Sequence, residues 1–137
     1  MQKLLLISIF AYLLVACEVH LGTQDSQFEK LGSSFLDDLY HQRRQPCIDK
    51  MDDLFKVAAK KWNLDSLFSI LSEQLQTEFQ GEISSTLLSS QKTVHENLPA
   101  TLLKFKVQSA KKTGYYNFYI NDKTGKILLI SEYQIAD

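Results

Sequence analysis

Three histidines and two adjacent pairs of aspartates are the side chains in this sequence whose chemistry would suit acid–base catalysis. The histidines, His20, His41 and His95, fall in a polar N-terminal stretch, a charged stretch before a proline, and a loop beside Glu96 and Asn97. A general acid or base must be held within hydrogen-bond reach of its substrate. Because these histidines lie in solvated segments and are not expected to enter a pocket, we predict no histidine-based catalysis.

The aspartate pairs are Asp37-Asp38 and Asp52-Asp53. Successive side chains on a helix point about 100° apart, so neither pair forms a carboxylate dyad. We expect both pairs to lie on solvated helix faces. The sequence thus names no catalytic residue, and we do not expect an enzyme.

A metal site would need clustered ligands at a recognisable spacing. His41, Cys47 and Asp49 are close in sequence, but their spacing matches no such pattern, and Arg43-Arg44 would repel a cation. The chain also lacks a glycine-rich phosphate loop and a serine nucleophile elbow. We therefore predict no metal and no cofactor.

The most unusual stretch is an aromatic strand from Tyr115 to Ile120. Alternation places Tyr115, Asn117 and Tyr119 on one face, and the other three side chains on the opposite face. One interpretation is an ordinary open sheet face, because tyrosine is common in strands. The other is a tyrosine-lined surface for a ligand or partner, since tyrosine offers a large amphipathic contact area.

The N-terminus has the layout of a signal peptide: one lysine, then an apolar run from Leu4 to Ala16. A helix of that length reaches about 20 Å, short of the ~30 Å hydrocarbon core of a bilayer. The run ends in Leu14-Val15-Ala16-Cys17, which resembles the lipobox of bacterial lipoproteins. That resemblance implies that residues 1–16 are removed and that Cys17 is lipidated as the first mature residue.

Two or three acyl chains on Cys17 would anchor the protein stably. Glu18 follows, and the aspartate that favours inner-membrane retention in similar lipoproteins is absent from that position. The resemblance therefore implies the periplasmic face of the outer membrane. Cys47 is then left without an intramolecular partner. It is either a half-buried small hydrophobe or the site of an intermolecular disulfide; without lipidation, a Cys17–Cys47 bridge is the alternative.

The mature chain is the size of one domain. Removing residues 1–16 leaves 121 residues, with 14 basic and 16 acidic side chains. Since no basic patch is present, we expect no nucleic-acid partner. Residues 17–27 are polar and predict a tether, and residues 28–137 a single domain.

The first half of this domain has helical periodicity. The helix at Phe28 has Asp25 or Ser26 as a cap, and Asn63 begins a turn before the third helix. Gly81 is expected to end that helix. The predicted apolar faces are Phe28, Leu31, Phe35 and Leu39; Met51, Leu54, Phe55, Ala58 and Trp62; and Phe68, Leu71, Leu75 and Phe79. The expected core includes Trp62, Leu71, Leu75, Phe105 and Phe118.

The second half alternates as strands do, over 83–94, 101–109, 115–120 and 126–133. Asn121 to Gly125 predicts a hairpin turn with glycine in the left-handed region. In the last strand, strict alternation would set Ile127 and Leu129 against Leu128 and Ile130. Helices followed by a meander predict an α+β domain, with N-terminal helices packed on a curved four-stranded antiparallel sheet.

This order resembles the cystatin-like, cone-shaped roll of the nuclear-transport-factor-2-like superfamily, as found in small lipoproteins of unknown function. The step from the third helix through Gly81 into Ile83-Ser84-Ser85 is similar to that pattern. The ending Asp122 to Leu128 also resembles PepSY-type domains, which have one main helix before the sheet.

We expect a non-catalytic binding or accessory module, held to the membrane by its anchor and contacting an unknown envelope protein or small ligand. It could form a homodimer through the sheet face. The alternatives are a small-ligand carrier or pocket enzyme of the roll type, or a PepSY-like inhibitory domain. A deep cavity with two convergent titratable groups would favour a carrier or enzyme, and a filled cone the binding module.

Overall fold

The computed structural model describes residues 24–60 and 63–133. Four helical segments come first: α1 over 24–40, α2 Arg44–Lys50, α3 Asp53–Lys60 and α4 Leu64–Phe79. Cys17, His20 and Trp62 lie outside the described residues. Within the described ranges, no helix is long and apolar enough to cross a bilayer.

The strands are β1 Ser84–His95, β2 Leu98–Gln108, β3 Thr113–Asn121 and β4 Ile127–Glu132, paired in chain order into one antiparallel sheet. The predicted α+β class, with N-terminal helices followed by a four-stranded meander, is confirmed. Four helical segments precede the sheet, whereas the PepSY pattern implies one main helix.

The core lies between the helices and one face of the sheet. Leu103, Phe105 and Val107 of β2 are fully buried, as the alternation predicted, and Phe118 and Ile120 of β3 lie beside them. Aromatic rings fill the centre: Phe118 makes edge-to-face contacts with Phe35 and Phe105. The space between the helices and the middle of the sheet is therefore filled with side chains.

Two glycines allow this close packing. A Cβ on Gly32 of α1 would lie 2.5 Å from the Phe105 ring, and one on Gly114 of β3 would lie 2.8 Å from the Phe79 ring. Since real carbon contacts are near 3.5–4.0 Å, each glycine lets an aromatic ring approach the backbone directly.

The face predicted for α4 is partly wrong. Phe68, Leu75 and Phe79 are buried, but Leu71 is 38 % exposed and Ser72 takes the inward position. The Ser72 hydroxyl donates a 2.6 Å hydrogen bond to the Leu39 carbonyl at the end of α1. The end of a helix leaves carbonyls without partners. A serine hydroxyl can donate to such a carbonyl, whereas a leucine side chain cannot.

The helix beginnings also differ from the prediction. Residues 24–27 are already helical, so neither Asp25 nor Ser26 caps α1, and the last part of the predicted tether belongs to a helix. α3 begins at Asp53, after Met51 has paired with β4, so Met51 is buried while Leu54 is 53 % exposed. Asn63 does cap α4, accepting a hydrogen bond from the Asp65 amide.

The turns set the sheet register. Gly125 is left-handed, with φ +66°, as predicted for the last hairpin. Glu96 and Asn97 both have positive φ and form a two-residue turn between β1 and β2. A bulge in β4 pairs Ile127 with Ile120 and Ile130 with Phe118. The strict alternation predicted for this strand is therefore wrong, because Ile127 and Ile130 share the core face.

Candidate functional site

The sheet face that points away from the helices carries a row of aromatic side chains. Tyr115 and Tyr119 lie on this face of β3, since their neighbours Tyr116, Phe118 and Ile120 face the core. Tyr133 packs against Tyr115 with ring centres 5.6 Å apart, and His95 packs on Tyr119 at 4.7 Å. The predicted tyrosine face therefore exists, and β1 and the end of β4 extend it.

Two lysines give this open sheet face a positive charge. Lys104 pairs with Asn117 and Lys106 with Tyr115 across β2 and β3, which places both lysines on the aromatic side. The Lys104 ammonium lies 5.5 Å from the Tyr133 ring centre, a cation–π contact. The paired open-face positions of the four described strands hold no aspartate or glutamate. The face is positive although the whole chain carries a net charge of −1.

Asn117 lies at the centre of the open sheet face. Its side-chain oxygen is shielded from solvent and has no hydrogen-bond partner among the described residues. Leaving a shielded polar group unpaired costs about 1–3 kcal/mol. The sequence placed Asn117 on this face but gave no sign that its amide would lack a partner.

The opposite side of the sheet contains a groove between α1, α4 and the end of β4. Its volume is about 170 Å³, and its lining is mainly apolar. Tyr116, Gln74 and Glu132 supply polar groups at this groove. Burial raises the pKa of the Tyr116 hydroxyl, and the nearby carboxylates of Glu132 and Glu78 raise it further. A phenol with a raised pKa stays protonated and is a poor general base.

The described histidines do not assemble an acid–base centre. His41 is exposed, and its Nδ1 lies 2.9 Å from the Asp37 carbonyl oxygen. His95 is the last residue of β1 and lines a depression with Leu54 and Ala58 of α3, so the prediction that no histidine enters a pocket is wrong for it. Its ring contact is aromatic, with Tyr119, so the geometry provides packing for His95 rather than an oriented proton donor.

One aspartate of each pair is buried, contrary to the prediction of solvated faces. Asp38 is 8 % exposed and receives hydrogen bonds from Arg43 at 2.7 Å and from Lys50 at 2.5 Å. Burial alone would raise the pKa of Asp38, but these two cations outweigh burial and hold it below its ordinary value. The cluster joins α1 to α2 by charge pairing, which is a structural role.

Asp52 is 4 % exposed and joins α3 to the last hairpin. Its carboxylate accepts hydrogen bonds from the Thr124 hydroxyl at 2.6 Å, the Asn121 amide at 3.2 Å and the Leu54 backbone N–H at 3.0 Å. Burial would raise the pKa of Asp52, yet these donors hold it below its ordinary value. Its neighbour Asp53 has a side chain that is 93 % exposed.

Cys47 is fully buried, more deeply than the sequence suggested. Its sulfur lies 3.7 Å from the Phe35 carbonyl oxygen, and burial raises the pKa of the thiol to about 12. A thiol that stays protonated and inaccessible is inert. This supports the interpretation of Cys47 as an interior hydrophobe over an intermolecular disulfide.

Metal ligands do not converge in the described part of the chain: no three histidine, cysteine or acidic side chains there could share an ion. His41 lies at the surface, whereas Cys47 lies in the core.

Comparison of the sequence and fold with protein families, curated proteins and solved structures finds no match.

Proposed function

We propose that this chain is a lipid-anchored protein of a bacterial envelope and acts as a non-catalytic binding module. Its open sheet face is the binding surface, and its partner is an acidic surface of another envelope protein. One observation supports the proposal: in the described part of the sheet, three tyrosines share a face with two lysines, and no carboxylate occupies its paired positions.

The chemistry of the face supports a protein partner. Tyrosine is enriched where protein interfaces are most strongly stabilised, because its ring buries a large area while its hydroxyl keeps a hydrogen-bond partner. Tyr115 with Tyr133, and Tyr119 with His95, form two aromatic pairs along this face. Between them, the Asn117 side-chain oxygen is an acceptor with no partner among the described residues.

The charge of the face selects the partner. Lys104 and Lys106 would attract carboxylates, which raises both the rate of association and its specificity. A second copy of the same face would bring four lysine side chains together, and like charges in contact are unfavourable. The homodimer through the sheet face is therefore the weaker interpretation, and a different, acidic protein fits better.

The lipobox-like segment Leu14 to Cys17 supports the lipid anchor. We expect Cys17→Ser to move the protein from the membrane fraction to the soluble periplasm, or to block processing, and to abolish labelling by a fatty-acid precursor. Unchanged fractionation and labelling in this variant would show that Cys17 is not the lipid anchor.

Photo-crosslinking in cells tests the binding surface. The full chain would carry p-benzoylphenylalanine in place of Gln91, an exposed residue in the same cross-strand row as Leu102 and Tyr119. The control places the same group at Ile70, which is 60 % exposed on α4. We expect position 91 to give an adduct with a protein of different mass and position 70 to give none. An adduct of twice the chain mass would instead establish self-association.

The pocket-enzyme alternative makes a different prediction. If a histidine-based site were essential, replacing His20, His41 and His95 by Gln would abolish function in a correctly exported chain. We expect this triple variant to keep its function in cells, with a partial fall in the position-91 adduct because the His95 ring packs on Tyr119 in the binding surface. If the triple variant lost its function in cells but still formed the adduct, the enzyme alternative would be favoured.

A further inference from the structure

The groove on the helical side of the sheet is a second candidate site, separate from the open sheet face. Its volume, about 170 Å³, is close to the ~150 Å³ of a dry protein cavity that holds a benzene molecule. Its apolar walls come from α1, α3, α4 and the last strand, and include Phe35, Leu36, Phe55, Phe68, Leu71 and Ile130. A single ring or a short branched chain would fill it.

The polar groups at the groove are acidic or neutral. Tyr116 and Glu132 are direct partners across β3 and β4, so their side chains leave the sheet on the same side. Glu132 is exposed, and none of the ion pairs within residues 24–60 and 63–133 uses its carboxylate. Glu78, whose carboxylate also raises the pKa of Tyr116, is already paired with Lys112. Glu132 is therefore free to pair with a cation on a ligand.

We propose that this groove binds small amines that carry an apolar body of about the size of a benzene ring. The ring would lie against the apolar walls, and the ammonium group would pair with the Glu132 carboxylate. A hydrogen bond between ionised partners is about twice as strong as a neutral one. An anionic ligand would instead meet the negative charge of Glu132, so the site discriminates by charge as well as by size.

Tyr116 supplies a neutral polar group at the same groove. Its hydroxyl stays protonated, so it brings no second negative charge and contributes a neutral donor beside the carboxylate. Gln74 offers an amide with both a donor and an acceptor at the same groove. Neutral hydrogen bonding is thus available to an amine and to an alcohol, and Glu132 alone distinguishes them.

Three probes of equal size test the proposal: benzylamine, benzyl alcohol and benzoate. Affinities would be measured by calorimetric titration at pH 7, with the full chain held in phosphatidylcholine nanodiscs. We expect benzylamine to bind about three- to fivefold more tightly than benzyl alcohol, because an ion pair to the exposed Glu132 is weakened by solvent, and benzoate to bind weakest. The proposal is overturned by benzoate matching benzylamine, or by no probe binding at all.

Variants locate the site. Glu132→Gln should bring benzylamine to within about twofold of benzyl alcohol and leave the alcohol's affinity unchanged. Leu71→Trp should fill the groove and abolish binding of both, whereas Ile70→Trp, on an exposed position of the same helix, should not. Circular dichroism would show that each variant is folded. A preference for the amine that survives Glu132→Gln would contradict the role of Glu132. The result of this experiment is independent of crosslinking at the open sheet face.

Discussion

Replacing Asp52 by Ala tests whether one buried carboxylate holds α3 to the last hairpin. The change removes hydrogen bonds from the Thr124 hydroxyl and the Asn121 amide and the N-terminal cap on the Leu54 amide. Loss of an N-cap costs about 0.5–2 kcal/mol, and a hydrogen bond to a charged group contributes about 1.5–3 kcal/mol. Asn121, 5 % exposed, would also lose a partner.

These contributions overlap, so we expect a total loss of about 3–5 kcal/mol in the free energy of unfolding. The matched control is Asp53→Ala, one residue further on. Its side chain is 93 % exposed and its contact with Lys56 is a surface ion pair at 3.3 Å, so the cost should stay within about 0.5 kcal/mol. Chemical denaturation at pH 7, followed by circular dichroism, measures both. Equal costs for the two variants would refute the reasoning.

The same carboxylate predicts a pH dependence. The pKa of Asp52 in the folded protein lies below its ordinary value of 3.8. Its stabilisation is therefore complete above about pH 4 and is lost as the pH falls through the folded-state pKa. Asp52→Asn keeps the shape but not the charge, so its stability should fall less steeply than that of the wild type below pH 4. Parallel acid profiles would contradict this assignment.

Three further predictions concern the core. Leu75→Ala should cost about 2–5 kcal/mol as a buried cavity substitution, while Leu71→Ala, at a partly exposed position, should cost about 1 kcal/mol or less; denaturation midpoints compare them. Gly32→Ala would stabilise most helices, but here it should destabilise by about 1–3 kcal/mol, because the new methyl group meets a buried phenylalanine ring. Ser33→Ala is its control, and a gain in stability for both would contradict the close approach. Cys47 should not react with a thiol reagent in the native protein and should react fully once unfolded; rapid native labelling would contradict its burial.

The sequence carried enough information for the sheet and little for the polar interior. Alternation in Leu103, Phe105 and Val107 placed the core face of β2 correctly, because a period of two leaves one choice once a face is apolar. The helix faces were harder. In α4, both Leu71 and Ser72 are compatible with the face set by Phe68 and Leu75, and hydrophobicity favoured leucine.

Tertiary contacts decided the positions where the prediction was wrong. Ser72 is inward because the end of α1 supplies a carbonyl that needs a donor. Asp52 is buried because Asn121 and Thr124 of the last hairpin donate to it, and Asp38 is buried because Lys50 of the next helix pairs with it. The groove beside Tyr116 likewise forms from α1, α4 and β4 together. None of these partners is visible in the local pattern that predicted the helices and strands.

The most direct test of the proposed binding function is the yield of the position-91 adduct as the charge of the open sheet face is changed in cells. Lys104 and Lys106 would be replaced together, first by Gln and then by Glu, in chains shown to be folded and exported. An acidic partner predicts a severalfold fall with the Gln pair and at least a tenfold fall with the Glu pair. An adduct yield that is the same with Lys, Gln or Glu at these two positions would contradict binding to an acidic partner.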